Sequence, residues 1–310
     1  MNFLVSGVAG DIGLGVGRIL CEWFPQSKIF GVDLHDRHPG GLLFSSCAIA
    51  PRADSDDYIC WIKSYIEKHD VDYFIPTSEN EIFHISKSDL VSKMRGKILI
   101  LNPFILSKTL DKYECLRFLA EQGVNVPPNG IVGDSEPKLF PVIIKPRSGQ
   151  GSKSVMKVDS LVEFSEISLL GMVWQEYLLP DDQEFTCPVF RSNGVSRVII
   201  IRRTLNGGYT GYGEVIENED IRQYVAGIAE KMDLFGPMNV QLRLTKKGPL
   251  LFEINPRLSS TLVFRDKLGF SDLYWWCLSL QGRPVPEYEP PPVGTKFYRG
   301  VQEYIAFAGD

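Results

Sequence analysis

Gln241, Glu253 and Asn255 carry side-chain oxygens on two apolar runs that flank Lys246, Lys247 and Gly248. Apolar runs on either side of a glycine turn predict an antiparallel hairpin over Met238–Arg257. Period-2 alternation sends Leu250, Phe252 and Ile254 to one face and Glu253 and Asn255 to the other. Gln241 stands inside an apolar strand, where an amide without a partner is costly. Three oxygen ligands converging from paired strands suit a hard cation such as Mg²⁺, which also takes phosphate oxygens and water. Arg257, just past the strand end, could reach a transferred phosphoryl group or an acyl phosphate. A purely structural polar network at a strand end would use the same residue types.

A second group lies upstream. Pro141 to Lys145 reads as a short buried strand, followed by a loop containing Ser148, Gly149, Gly151, Ser152 and Ser154, then a returning strand from Val155 to Val158. Loop amides and hydroxyls can donate to phosphate oxygens while Lys145 neutralises charge. No Gly-Lys-Ser/Thr opens a helix here, so the loop is not a Walker A loop. A plain hairpin with a solvated lysine is the competing reading. Glu176 and Glu184 follow on an apolar strand and its connector. Such a connector can offer backbone groups to an adenine edge, and a later carboxylate can accept both ribose hydroxyls. Ordinary edge charges would look the same.

The elements that must position these residues differ along the chain. Residues 2–6 form an apolar run ending in Gly7, Gly10 and Gly13, then Ile12, Val16, Ile19, Leu20 and Trp23 recur at helical spacing. A run from Lys28 to Val32, a helical pattern over 56–68 and a run from Tyr73 to Ile75 complete a βαβ texture, which predicts a parallel sheet. The glycines with Asp33 suggest a dinucleotide site, but the Gly-x-x-Gly-x-x-Gly spacing displaces the central glycine. Close helix–sheet packing explains the same glycines. From 103 onward, Leu110–Leu119 is a helical stripe closed by Gly123, and Leu273–Leu280 is an aromatic helical stripe read as core. Pro284–Pro292 reads as an extended wrap, and Gly207–Gly213 as a loop that either shapes a pocket or simply connects strands.

The chain has 310 residues, 44% hydrophobic and 23% charged, which suits about two domains with sizeable cores. Thirty-three basic against 38 acidic residues give a net charge of -5, opposite to the basic excess of a sequence-independent nucleic-acid binder. Six scattered cysteines without a Cys-x-x-Cys pair read as reduced thiols, and four histidines confined to the first third argue against a histidine zinc site. No apolar run reaches the ~20 residues of a membrane span. These features predict a cytoplasmic protein without nucleic-acid or membrane partners.

Taken together and in order, these residues resemble the ATP-grasp superfamily, and within it the synthetase halves of the carbamoyl-phosphate synthetase large subunit. The resemblance covers nearly the whole chain and implies an α/β protein: a Rossmann-like pre-ATP-grasp domain at 1–102 and an ATP-grasp domain at 103–310, with a flap subdomain at about 126–178. It implies ATP as a ligand, Mg²⁺ (or Mn²⁺) held by Gln241, Glu253 and Asn255, and basic nucleotide-binding positions at Lys112 and Lys145. It places the adenine hinge at Gln175–Leu179, with Glu176 and Leu179 as nucleotide contacts, the ribose acid at Glu184 and the flap contacts at Ser148, Gly149, Gly151 and Ser152. Arg257, with Arg202 or Arg203 (alternation points them to opposite faces), is implied at the carboxylate or acyl phosphate. The pre-ATP-grasp domain of that family does not bind NAD, which favours packing as the role of the glycines. The chain is a single unit without a glutaminase, so the resemblance implies a carboxylate–amine ligase acting on small molecules, with a homodimer as the common assembly. An ATP-binding protein without ligase activity, and a nicotinamide-dependent oxidoreductase, are the competing functions.

Overall fold

The computed structural model describes residues 1–94, 97–149 and 155–306. Among these, the strands in chain order are β1 (Asn2–Ser6), β2 (Lys28–Asp33), β3 (Ser46–Ile49), β4 (Tyr73–Ile75), β5 (Asn129–Ile131), β6 (Val142–Lys145), β7 (Met156–Val158) and β8 (Val173–Glu176). They continue with β9 (Glu184–Ser192), β10 (Val195–Val198), β11 (Ile201–Asn206), β12 (Tyr209–Val215), β13 (Gly236–Thr245), β14 (Gly248–Asn255) and β15 (Lys296–Tyr298). The α-helices are α1 (Asp11–Trp23), α2 (Tyr58–Lys68), α3 (Glu79–Lys87), α4 (Leu90–Lys93), α5 (Pro103–Thr109) and α6 (Lys112–Glu121). Then come α7 (Leu161–Ser165), α8 (Glu219–Lys231), α9 (Leu262–Lys267) and α10 (Asp272–Leu280).

The chain divides into two compact units, 1–101 with 257–290 and 299–310, and 102–256 with 291–298. The sequence assigned 103–310 to one domain, whereas the segments after Pro256 join the first unit because α9 and α10 pack on α1. Trp23 of α1 stacks on Tyr274 of α10 with ring centroids 4.2 Å apart and donates from Nε1 to Asp266.

The first unit is built on a parallel sheet in the order β3-β2-β1-β4. Its core joins Leu4, Phe30 and Phe74 from the strands with Ile62 and Ile66 from α2, each buried side chain adding roughly 1.5–3 kcal/mol. Ser78 caps α3 by accepting from the Glu81 amide, the geometry of a Ser-x-x-Glu helix start. Gly7 has φ +66°, and a Cβ there would meet Thr77 Oγ1 at 2.4 Å. A Cβ on Gly13 would lie 2.2 Å from the Gly7 carbonyl oxygen, so this glycine lets the start of α1 pack on the turn.

The second unit contains two sheets with antiparallel pairing. A four-stranded sheet runs β5-β8-β6-β7, and a larger one runs β14-β13-β9-β11-β12-β15, with β10 added beside β9. Asn102, Asp111 and Asn218 cap α5, α6 and α8 through their side chains. The Lys246-Lys247 turn joins β13 to β14 as an antiparallel hairpin.

One local expectation changes. The Gly207–Gly213 stretch is a tight turn at Gly207 and Gly208, with φ of 60° and 86°, followed by strand β12. Gly213 faces the Phe297 ring of β15, where a Cβ would sit 2.2 Å from Cζ. Arg202 and Arg203 follow Ile201 at the start of β11, which Ile199 and Ile200 separate from β10.

Candidate ATP-binding site

The second unit contains a cavity of about 570 Å³. Lys112, Lys145, Ser148, Gly149, Glu176, Glu184 and Glu253 line it, together with Ile143, Val155, Gln175, Tyr177, Leu178, Arg243 and Phe252. Gly151 and Ser152 lie outside the described residues.

Strand pairing explains the basic end. Ile143 lies opposite Gln175 in the β6–β8 ladder, so Ile143, Gln175 and Lys145, two residues on, share one face. Lys145 Nζ donates to Gln175 Oε1 and to the Phe252 carbonyl, each at 2.6 Å. Burial pushes the Lys145 ammonium down to about 8, assisted by nearby Lys112 and opposed by Glu253. Lys112 opens α6, and its Nζ donates to Gly149 O at 2.6 Å and lies 3.4 Å from Glu253 Oε1. The start of α6 is fastened to the loop after β6 by the Asp111–Arg147 ion pair at 2.7 Å and by Lys112 N donating to Arg147 O at 2.8 Å.

Glu176, Tyr177 and Leu178 also line the cavity. Glu176 Oε1 lies 3.3 Å from Lys247 Nζ, while the buried Oε2 has no hydrogen-bond partner among the described residues. Such an oxygen is costly unless a donor meets it. Leu178, 5% exposed, lines the cavity, and Leu179, 54% exposed, does not. This corrects the expected hinge contact: Arg243 holds the Leu178 carbonyl from β13, and the next residue is directed outward.

The polar face of the larger sheet joins the cavity to the expected metal ligands. Gln241 lies opposite Glu253 and Thr186, and Asn239 opposite Asn255, so all of them project from one face. Gln241 and Asn255 stand outside the cavity wall. Arg203 Nη2 bridges Glu184 Oε1 and Gln241 Oε1, both at 2.9 Å. Arg202 points to the opposite face, where it pairs with Glu214 at 2.6 Å. Arg257 belongs to the first unit and pairs with Glu79 at 3.1 Å.

Strict alternation fails once in the hairpin. Gln241 pairs with Glu253 but Leu242 with Leu251, which makes Phe252 the extra residue of a bulge. Phe252 and Glu253 therefore both line the cavity, contrary to the expectation of opposite faces. Asn239 was missed, although a polar residue two positions before Gln241 in an apolar strand carried the same signal; it is 1% exposed and accepts from Thr186 Oγ1 at 2.8 Å. Arg243 was missed because a basic residue alternating with leucines reads as a solvated edge.

The donor set fits Mg²⁺. One carboxylate, Glu253, stands beside the amide oxygens of Gln241 and Asn255, and no cluster of three or more His, Cys, Asp or Glu able to hold a metal occurs among the described residues. That composition suits an ion that takes most of its negative ligands from phosphates.

The comparisons with known proteins bear on this geometry. Residues 170–298 match a family described as ATP-grasp in the biosynthetic pathway with Ter operon. A structure of L-amino acid ligase from Bacillus licheniformis superposes with a TM-score of 0.74 at 17% identity, covering 93% of this chain and 77% of that one. The chain has the ATP-grasp fold. Another solved structure that superposes is the biotin carboxylase domain of 2-oxoglutarate carboxylase from Hydrogenobacter thermophilus, in complex with MgADP, ADP and bicarbonate. It gives a TM-score of 0.75 at 14% identity over 95% of this chain and 73% of that one. In sequence, 201 residues are 24% identical to the carbamoyl phosphate synthase large chain of Pseudothermotoga lettingae. The match covers 55% of this chain but only 18% of that much longer relative. No helix among the described residues is long and apolar enough to cross a membrane.

Proposed function

We propose that this chain is an ATP-dependent ligase that joins a small-molecule carboxylate to an amine. The observation that carries the reading is the cavity itself. Lys112, Lys145, Ser148 and Gly149 line it together with Glu176, Tyr177, Leu178 and Glu184. A triphosphate matches the cations, and a nucleoside matches the Glu176–Leu178 segment and the Glu184 carboxylate. The fold, and relatives named as an amino acid ligase, a carboxylase domain with MgADP and a carbamoyl phosphate synthase, support the same reading.

In the reaction, a carboxylate oxygen attacks the γ-phosphorus of ATP, the bond to the bridging oxygen breaks, and ADP leaves. The amine nitrogen then attacks the acyl carbon, phosphate leaves with the bonding pair, and the nitrogen loses a proton. The first step brings two anions together and the second releases phosphate, so charge neutralisation dominates. Lys145 and Lys112 would neutralise the phosphates, and Glu184 would accept the ribose hydroxyls. Arg203, on the face shared with Gln241, is assigned to the carboxylate or acyl phosphate, and Arg202 is set aside by its pairing with Glu214. Arg257, four residues beyond Glu253 in the chain, is assigned the same kind of role. Gln241, Glu253 and Asn255 would hold Mg²⁺, which supplies positive charge at the phosphate oxygens when bound. Ser148 and Gly149 would cover the nucleotide and exclude water from the acyl phosphate.

The test is thermal-shift stabilisation by MgATP, ADP and NAD(H) on wild type and Glu253→Gln, followed by phosphate release with paired acids and amines. A ligand at 100-fold its Kd adds about 2.7 kcal/mol, a visible rise in midpoint. A MgATP shift with amine-dependent phosphate release is expected. A MgATP shift with no turnover for any pair would point to nucleotide binding alone, and a shift with NAD(H) only would overturn the assignment.

A further inference from the structure

Arg243 is fixed on β13 two residues after Gln241, yet its contacts run to the segment between β8 and β9. Its Nη1 donates to the Leu178 carbonyl and, at 2.6 Å, to Asp181 Oδ1. Its Nη2 lies 3.5 Å from Glu184 Oε2, and its guanidinium carbon sits 5.2 Å from the Tyr177 ring centroid. Tyr177 OH donates to the same Asp181 oxygen at 2.5 Å. The side chain is 15% exposed and forms part of the cavity wall. Beside it, Leu244 N donates to Gln183 O at 3.1 Å, and Arg243 stands opposite Glu184 in the β13–β9 register.

One planar fork therefore holds a backbone carbonyl, two carboxylates and an aromatic face, all between residues 177 and 184. Only a guanidinium can serve these directions together; a lysine ammonium is a point charge on a flexible stem. The segment it holds contains the Leu178 wall of the cavity and leads to Glu184, which Arg203 grips from the other side.

We propose that Arg243 is a positioning residue for the nucleoside half of the bound nucleotide, setting the base-contacting segment and the ribose carboxylate as one piece. It acts through Leu178, Tyr177 and Glu184, and contributes little to the triphosphate, whose cations Lys112 and Lys145 belong to other elements. The inference rests on the ATP reading of the cavity.

The experiment measures binding of MgATP and of magnesium tripolyphosphate, which lacks the nucleoside, by titration calorimetry on the full chain. Arg243→Met is expected to weaken MgATP tenfold or more while tripolyphosphate affinity changes less than twofold. Arg243→Lys keeps the charge and much of the stem packing, so it guards against a misfolded Met variant. It is expected to melt within a few degrees of wild type and still lose several-fold in MgATP affinity. Combining Arg243→Met with Glu184→Gln is expected to cost less than the sum of the separate losses, because both remove one contact set. Equal losses for both ligands would reduce Arg243 to a structural role and overturn the proposal, as would unchanged MgATP affinity in both variants. Wild type that binds neither MgATP nor ADP would instead overturn the ATP reading, and this inference with it.

Discussion

In the first unit, the glycine turn after β1 directs its polar groups into the protein. Asp33 accepts from the Ala9 amide at 2.7 Å and from the Leu34 amide at 2.7 Å. Gly13 is in contact range of the Gly7 carbonyl, and the buried Glu81 receives the hydroxyls of Ser6 and Tyr58. In the second unit, the glycine loop after β6 borders a cavity lined by Lys112, Lys145, Glu176 and Arg243. Both regions have a strand, a glycine turn and nearby acids. What separates them is the space each borders, about 200 Å³ beside the first turn and about 570 Å³ beside the second loop. Composition does not record that difference, and geometry does.

The contrast can be broken most forcefully at Glu253. Glu253→Gln is expected to lower turnover by about 100- to 1000-fold, the scale for losing one charged group that stabilises the transition state. Its melting midpoint is expected to stay near wild type, and a collapsed midpoint would make the residue structural. Lys145→Ala is expected to weaken MgATP by roughly tenfold to a hundredfold, the worth of a charge-assisted hydrogen bond; unchanged affinity in calorimetry would remove the lysine from the phosphate site.

A pH series sharpens the same point. Burial depresses Lys145 to about 8, and its ammonium form is the one that attracts phosphate. MgATP affinity is therefore expected to fall as pH rises through about 8, by up to tenfold per unit. Stability of the free protein has the opposite sign. Between about 8 and the ordinary 10.5 the unfolded chain binds more protons, so stability rises with pH across that window. Lys145→Met should flatten both profiles.

The smallest effect concerns the other side of the comparison. Gly13→Ala would place a methyl 2.2 Å from a backbone oxygen, and is expected to cost about 1–3 kcal/mol in urea unfolding. MgATP affinity should be unchanged. A large loss of affinity would mean that the glycine turn of the first unit takes part in nucleotide binding after all.

Much of this was legible in the residues. The 3.6-residue recurrence of Val16, Ile19 and Leu20 marks the buried face of α1, and the glycine turn between apolar runs marks the β13–β14 hairpin. The order of Lys145, Glu176, Glu184 and Glu253 along the chain anticipated the cavity lining. Other features depend on interactions that no local pattern encodes. The bulge at Phe252 arises from pairing with β13, so alternation within β14 alone could not reveal it. Alternation placed Arg202 and Arg203 on opposite faces but did not say which face held Glu184; the β11–β9 register decides that. Leu178 and Leu179 are the same residue type one position apart, and only the grip of Arg243 on the Leu178 carbonyl separates their roles. The return of residues 257–290 to the first unit likewise depends on packing against α1, some 240 residues earlier.

That return has a consequence for how the protein is made. The chain passes between units after Leu101, Pro256, Pro290 and Tyr298. The first unit is thus interrupted by nearly the whole of the second, and the side of α1 that packs on α9 and α10 waits for them to be covered. On a ribosome moving at about 5–20 residues per second, that interval lasts on the order of ten seconds or more. Contacts of such long range also slow folding, since loop closure precedes any gain from packing. The second unit, almost continuous in sequence, can close while the first is still incomplete, so the half that carries the cavity is expected to be the earlier one to resist proteolysis during synthesis.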